Sequence, residues 1–453
     1  MAVTNLKPPV PHPPGRRTLQ ALLLLPLAAA LLVSCSVRGA QMSQNSLLER
    51  FERKSGLIAF IALDGNIATA DQTGGRLTQL TDDAGSREGV RRWYSSPTWS
   101  ARGRRLAFVR FDQQTDGSLD AAILTSDSGS RNPQVVWESA ELAPVYLYWS
   151  PDSRWISVLS QRTAEDGMEL GLMDPAGKLS YKPVDTGLPL YWAWDPGNRF
   201  MLAHVGGGTT SGGRLTLLDV RGATGKRNFN VRPARFQSPQ VSPDGERMLY
   251  VDSESGSAQL VLRDIEGPGL DVLKTVSGSA FFSFSRDGRR VAIMESSTPQ
   301  LSADGTLRVL VPGRLERSVE LEEPTVIAFF WAPNSRQIAY LVPVSAAELQ
   351  QLVVEPVFAA DPEQIYVHLR VMDARSGEFW KVATFPITRG SLGALQFFDQ
   401  YTRSGSIWSP DGNWLVFSAV ARGGFPGIFL GSASGNLEPR FVTRGDLGSW
   451  SIR

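Results

Sequence analysis

The sequence predicts an all-β fold, a single β-propeller of four-stranded blades. Three features predict it: a turn phrase that recurs at a near-constant interval, strand-like runs flanking each copy, and a chain end that completes the first unit. The phrase is an apolar, usually aromatic, residue followed by Ser-Pro-Asp-Gly or a close variant. Its copies begin at Trp99, Trp149, Trp194, Val241, Phe284, Trp331 and Trp408. Pro presets φ at the first central turn position, Asp bonds its own backbone, and Gly suits the exit. Each copy therefore ends one strand and starts another. The runs that follow, such as LAFV at 106–109 and WLVFS at 414–418, are strand-like. A second turn, as in Asp219-Val-Arg-Gly222 or Met372-Asp-Ala-Arg-Ser-Gly377, separates a third strand from a fourth.

The lead residues stand at 99, 149, 194, 241, 284, 331, 408 and 450. A period of roughly 40–50 residues with four strands per unit marks propeller blades. The interval from 331 to 408 is the exception. Residues 343–364, PVSAAELQQLVVEPVFAADPEQ, read as an insertion inside one blade, with a short helix over 346–352. Long surface insertions are thermodynamically tolerated, so its removal should leave the fold intact. Residues 57–80 lack the phrase and read as strands two to four of a blade. Trp450-Ser451 reads as its missing innermost strand, which closes the ring and removes its free edges. Seven repeats and this composite make eight blades; seven blades is the alternative.

The N-terminal residues carry an address. Lys7, Arg16 and Arg17 stand without an acid in residues 1–20, and ALLLLPLAAALLV follows at 21–33. That run is short of the roughly 20 residues needed to span a bilayer, and the pattern is that of a secretory signal. It ends in Leu32-Val33-Ser34-Cys35, and Cys35 is the single cysteine of the 453 residues. This resembles the bacterial lipobox, which implies lipidation of Cys35 and cleavage before it; a plain signal anchor with an incidental cysteine is the alternative. Residues 1–34 thus read as a lipoprotein signal peptide, 35–54 as a tether and 55–453 as the propeller. The expected location is a membrane on the extracytoplasmic side, periplasmic or at the cell surface.

The repeats are similar to those of the TolB family, also found in tricorn protease and prolyl-oligopeptidase-type peptidases. Trp408-Ser-Pro-Asp-Gly412 and Val241-Ser-Pro-Asp-Gly245 carry the resemblance, which covers roughly residues 55–453. TolB-family proteins have six blades behind a separate α/β domain; this sequence has no room for that domain and more repeats.

Composition narrows the function. A net charge of +1 argues against a nucleic-acid binder. His12, His204 and His368 are the only histidines, too scattered for a zinc or iron site. No G-x-S-x-G elbow occurs. The glycine-rich 206–213 stretch lacks the Lys of a P-loop and reads as a loop between strands two and three of its blade. The repeated Asp152, Asp244, Asp287 and Asp411 read as turn residues before calcium ligands, and the lead tryptophans as packing between blades. No cofactor or metal is expected. What remains is a monomeric, non-catalytic binding or scaffold module for an envelope protein, peptide or glycan. The alternative is a hydrolase or lactonase-like propeller with its site in the central channel. The insertion supplies the candidate binding residues, Glu348, Gln350, Gln351, Glu355 and Phe358, because insertions gather on one face of a repeat ring.

Overall fold

The computed structural model describes residues 54–452 except 163–166, 177–180, 208–211, 221–224, 235–236, 254–256, 297–304, 322–324 and 362. Cys35, the signal peptide and nearly all of the tether lie outside the described residues. The described chain forms eight antiparallel blades in a ring. The first blade is composite. Its strands Ile58–Ile61, Ile67–Ala70 and Thr78–Gln79 are joined on the inside by Asp446–Trp450, with Ile58 opposite Trp450 and Ala59 opposite Ser449. Beyond the strand, Ser451 N–H donates to the Leu57 carbonyl at 2.8 Å. The eight-bladed count and the closure by the C-terminal strand therefore agree with the repeat arithmetic.

The phrase builds the ring in two ways. Most of its apolar lead residues are buried, Trp99, Trp149, Trp408 and Trp450 at 2% exposure or less. Four indoles also donate across to the blade before. Trp99 reaches the Ser449 carbonyl, Trp149 that of Thr98, Trp331 that of Ser283 and Trp408 that of Phe330, at 2.9–3.3 Å. In each case the acceptor is the residue just before the preceding blade's own lead residue. An indole at this place fills the wedge between blades and satisfies its one donor there.

The turns interlock likewise. Ser150, Ser285 and Ser409 donate to Asp152, Asp287 and Asp411 at 2.6–2.7 Å, and each Asp also accepts a backbone N–H two residues on. Three blades place a non-glycine residue at the turn exit, in the left-handed region: Ser153 (φ 61), Asn198 (φ 56) and Ser335 (φ 57). This costs roughly 1–2 kcal/mol for an L-residue. Each of the three accepts a bond from the preceding blade's turn, from Arg102, Asp152 and Asp287 N–H respectively. The strain is offset by a link between blades that glycine lacks.

The eighth blade departs from the pattern. Its regular strands are Trp414–Ala421, Phe425–Ser432 and Arg440–Arg444. In place of a continuous innermost strand, three isolated bridges line Trp414–Ala421: Trp408 opposite Leu415, Ile387 opposite Ala419 and Phe358 opposite Ala421. The long interval from 331 to 408 therefore holds two insertions, where the repeat spacing alone suggested one. The first runs between strands Gln337–Pro343 and Tyr366–Asp373 of the seventh blade and carries helix α1, Ala346–Leu349, shorter than the predicted 346–352. The second follows Ile387, interrupts the eighth blade's innermost strand, and carries helices α2 (Arg389–Leu395) and α3 (Phe398–Ser404).

Candidate functional site

In a blade of four antiparallel strands, the first and third turns lie at one rim of the ring. The middle turn and the connection to the next blade lie at the other. The Ser-Pro-Asp-Gly turns thus occupy one rim and both insertions the opposite one. Lys54 stands at the turn rim, where Ser55 N–H bonds the Gln72 side chain and Ser55 Oγ accepts from Asp411 N–H.

Helix α3 closes the channel at the insertion rim. It meets the inner edges of five consecutive blades, which places it inside the central channel. Tyr146 Oη of the third blade donates to the Gln400 carbonyl at 2.7 Å. Gln400 Nε2 donates to the Trp192 carbonyl of the fourth blade at 3.2 Å, and its Oε1 accepts from Ser238 Oγ of the fifth at 3.0 Å. Arg403 donates to the carbonyls of Trp192, Ser238 and Pro239. Phe398 packs its ring on Phe281 of the sixth blade and Phe329 of the seventh, with centroids 5.4 and 5.3 Å away. A polar helix is accepted in a buried channel because these groups answer strand carbonyls that point inward without a ladder partner.

The plug carries a titratable group. Asp399 is buried at the start of α3, and burial, the largest influence, pushes its carboxyl up to about 6 against the opposing pull of Arg403. Burial also raises the phenol of Tyr191, which lies close enough to feel Asp399, and depresses the Arg403 guanidinium. Asp446 of the closing strand holds the other helix: its Oδ1 accepts from Thr388 Oγ1 at 2.6 Å and from Ser391 Oγ at 3.3 Å. Thr388 in turn caps α2 by accepting from Ser391 N–H.

Helix α3 leans on the third to seventh blades, and a cavity of about 560 Å³ remains beside it. Its walls are Ser95, Ser96 and Thr98 of the second blade, Val145 and Tyr146 of the third, and Phe330, Leu341 and Phe385 of the seventh. Ile407, Val416 and Phe417 of the eighth, Gly448 and Ser449 of the closing strand, and Ala394 and Leu395 of α2 complete it. No Asp, Glu, Lys, Arg or His is among the described residues that line it.

The residues singled out from sequence fall into three groups. Glu348, Gln350 and Gln351 are exposed at the insertion rim. Glu348 forms a capping box with Ser345 and lies 3.8 Å from His368 Nε2. Glu355 is half-buried, with burial raising its carboxyl and Oε2 lacking a hydrogen-bond partner. Phe358 is 3% exposed, its ring against Phe385, Phe417 and Phe429 with centroids 6.0, 6.3 and 4.8 Å away. It anchors the segment in the core and stands in for part of the eighth blade's missing strand. The insertion is therefore not wholly a surface loop, and excising it would open the core. His204 and His368 are strand residues of the middle of their blades with partners: His204 Nδ1 meets the Gln237 carbonyl at 3.0 Å and His368 Nδ1 meets Thr384 Oγ1 at 2.8 Å. Among the described residues no three His, Cys, Asp or Glu side chains converge as metal ligands, and no helix is long and apolar enough to cross a membrane. Residues 208–211 of the glycine-rich loop lie outside the described residues; the rest of it joins strands Phe200–Val205 and Arg214–Asp219, the second and third of the fourth blade.

Sequence reasoning missed α2 and α3. Leu392, Leu395 and Phe398 recur at helical spacing behind Thr388, a capping residue. That signal stood beside the anomalous interval and was readable.

No family model matches the chain, and no curated protein matches it. Solved structures similar to it include TolB from Acinetobacter baumannii, 19% identical with a TM-score of 0.35 over 57% of this chain and 61% of that one. TolB from Agrobacterium tumefaciens is 13% identical with a TM-score of 0.35 over 74% and 90%. A puromycin-hydrolysing peptidase of Mycobacterium tuberculosis is 14% identical with a TM-score of 0.43 over 73% and 53%. The chain thus spans about three fifths of the Acinetobacter protein's length. These neighbours mix TolB proteins with a peptidase, and at such identities and TM-scores they decide nothing about activity.

Proposed function

We propose that this protein is a non-catalytic binding module, held at an extracytoplasmic membrane surface by a lipid on Cys35, that engages an envelope protein or peptide through its insertion rim. The observation that carries the reading is the character of that rim. Both insertions emerge there, and they present Val353 at 89% exposure, Ile365 at 51% and Phe397 at 41% beside the exposed Glu348, Gln350 and Gln351. Apolar side chains set among polar ones are the make-up of protein interfaces. Two further features favour binding over turnover. The channel mouth at this rim is filled by the chain's own helices, and the space beside them is lined, among the described residues, by uncharged side chains with no carboxylate or imidazole facing it. The described chain enters the ring at the turn rim, where Ser55 meets Gln72 and Asp411, and so leaves the insertion rim clear of its entry.

The experiment has two arms. Labelled fatty acid should enter the wild-type chain and not Cys35→Ala, which should also leave the membrane fraction; an unlabelled wild type refutes the anchor. A photoreactive side chain placed at Val353 should crosslink a discrete envelope protein in cells, and Phe397→Asp should abolish that crosslink. No adduct, or one indifferent to Phe397→Asp, refutes the rim as the binding face.

A further inference from the structure

We propose that the cavity beside α3 is a binding site for a neutral, lipid-like small molecule, an aliphatic chain with a single hydroxyl or carbonyl end. Phe397 belongs to both the exposed rim of the preceding section and the cavity wall, so the variants below are placed at Ala394 and Val145 instead, and each proposal can fail alone.

Size, wall chemistry and rigidity agree on this ligand class. At about 560 Å³ the cavity falls within the roughly 300–1,000 Å³ of sites for small organic ligands. Its walls combine Phe330, Phe385, Phe417, Ile407, Val416 and Leu395, with no charged side chain among the described lining residues. A charged ligand entering such a space gives up its hydration with nothing to replace it. The hydroxyls at the wall mostly have partners already: Thr98 Oγ1 donates to the Ser96 carbonyl, Ser406 Oγ to that of Trp408, and Ser418 Oγ accepts from Gly448 N–H. Ser95 and Ser96 differ, their half-buried hydroxyls meeting each other at a long 3.5 Å. A weakly matched pair of hydroxyls at the wall is the feature that one polar group on a ligand would answer.

The cavity is also held open by construction. Helix α3 is fixed on the far side by Gln400 and Arg403, and α2 is fixed to the closing strand through Asp446. Neither helix can drop into the space without breaking hydrogen bonds to buried strand carbonyls or to a carboxylate. Collapse, the ordinary fate of an apolar void, is thus opposed by polar contacts outside it.

The test uses the full chain carrying Cys35→Ala, so that no acyl group competes, and N-phenyl-1-naphthylamine, a neutral probe whose fluorescence rises in apolar surroundings. Saturable binding of one probe per chain is expected, displaced by 1-dodecanol and at least roughly tenfold less well by dodecanoate above its pKa, since the carboxylate must be desolvated. Ala394→Asp on α2 and Val145→Asp on the third-blade wall should each weaken the probe roughly tenfold or more by placing a charge in the cavity. Ala394→Ser should bind like the parent. Val145 is already 37% exposed, so its variant should fold, and a melting curve checks both. The proposal is overturned by non-saturable binding, by folded Asp variants that bind like the parent, or by dodecanoate competing as well as the alcohol.

Discussion

Truncating the chain after Gly445 removes the closing strand Asp446–Trp450 and the residues beyond it. Terminal residues are usually dispensable, but here three kinds of contact go at once. Trp450 is fully buried between Ile58, Phe60, Val416 and Ile428, and losing a buried aromatic costs about 3–5 kcal/mol. The ladder to Ile58 and Ala59 and the Ser451 bond to Leu57 disappear, at about 0.5–1.5 kcal/mol for each hydrogen bond. Asp446 no longer holds Thr388 and Ser391, so α2 loses its tie to the ring. Together these amount to about 5 kcal/mol or more, against a typical stability of about 5–15 kcal/mol. For a domain of this size that corresponds to a fall in melting temperature of about 6 °C or more. Thermal unfolding of the truncated and full chains measures it. A synthetic peptide of residues 446–453 added in trans should restore part of the loss, which separates strand docking from general damage. Melting temperatures equal within about two degrees would refute the closure, because a strand carrying a fully buried tryptophan cannot be idle.

Four further outcomes are expected. Asp399→Asn should raise stability at neutral pH by at most about 3 kcal/mol, because a carboxyl raised from the usual range to about 6 penalises the charged folded state. The sign follows: the stability tied to protonated Asp399 is fully present below about pH 4 and is lost as pH rises through about 6, so the difference in melting temperature between variant and wild type should be large at pH 7.5 and vanish near pH 4; a pH-independent difference refutes it. Phe358→Ala should cost about 3–5 kcal/mol and Val353→Ala, at 89% exposure, less than about 0.5 kcal/mol, as measured by denaturant unfolding; equal effects would mean that the insertion has no core half. Ser335→Ala should cost about 1 kcal/mol through the lost Asp287 bond, whereas Ser335→Gly should be nearly neutral because it also relieves the left-handed backbone. Arg403→Met should lower the melting temperature markedly, since the Ser238 and Pro239 carbonyls lose their donor, Trp192 one of its two, and Asp399 its counter-charge; an unchanged melt would mean that the plug is not coupled to the ring.

The ring was readable because it is made of local chemistry repeated. Pro, Asp and Gly at fixed offsets specify a turn wherever they occur, and the lead aromatic specifies the strand end that packs against the blade before it. Trp450 could be assigned to the first blade although it lies nearly 400 positions from Ile58, because the repeat demands an innermost strand there and the chain end alone supplies one. The site was less legible because it depends on what breaks the repeat. The excess between 331 and 408 announced an insertion without saying how many; the sequence 343–364, rich in apolar and acidic residues, drew attention first, while the segment that fills the channel mixes Gly, Leu, Phe and Arg, and its helical spacing behind Thr388 went unread beside it. Phe358 stands among Val353, Val354, Val357 and Ala359 with nothing in its spacing to mark it as the buried one, and the interrupted strand of the eighth blade gives it a buried place. The two facts are connected. A helical pair inserted into an innermost strand leaves the edge of Trp414–Ala421 partly bare, and an open edge must be covered. Ile387, Trp408 and Phe358 cover it in three pieces, so the two insertions are one structural device: the second takes a strand away to fill the channel, and the first replaces part of what was taken.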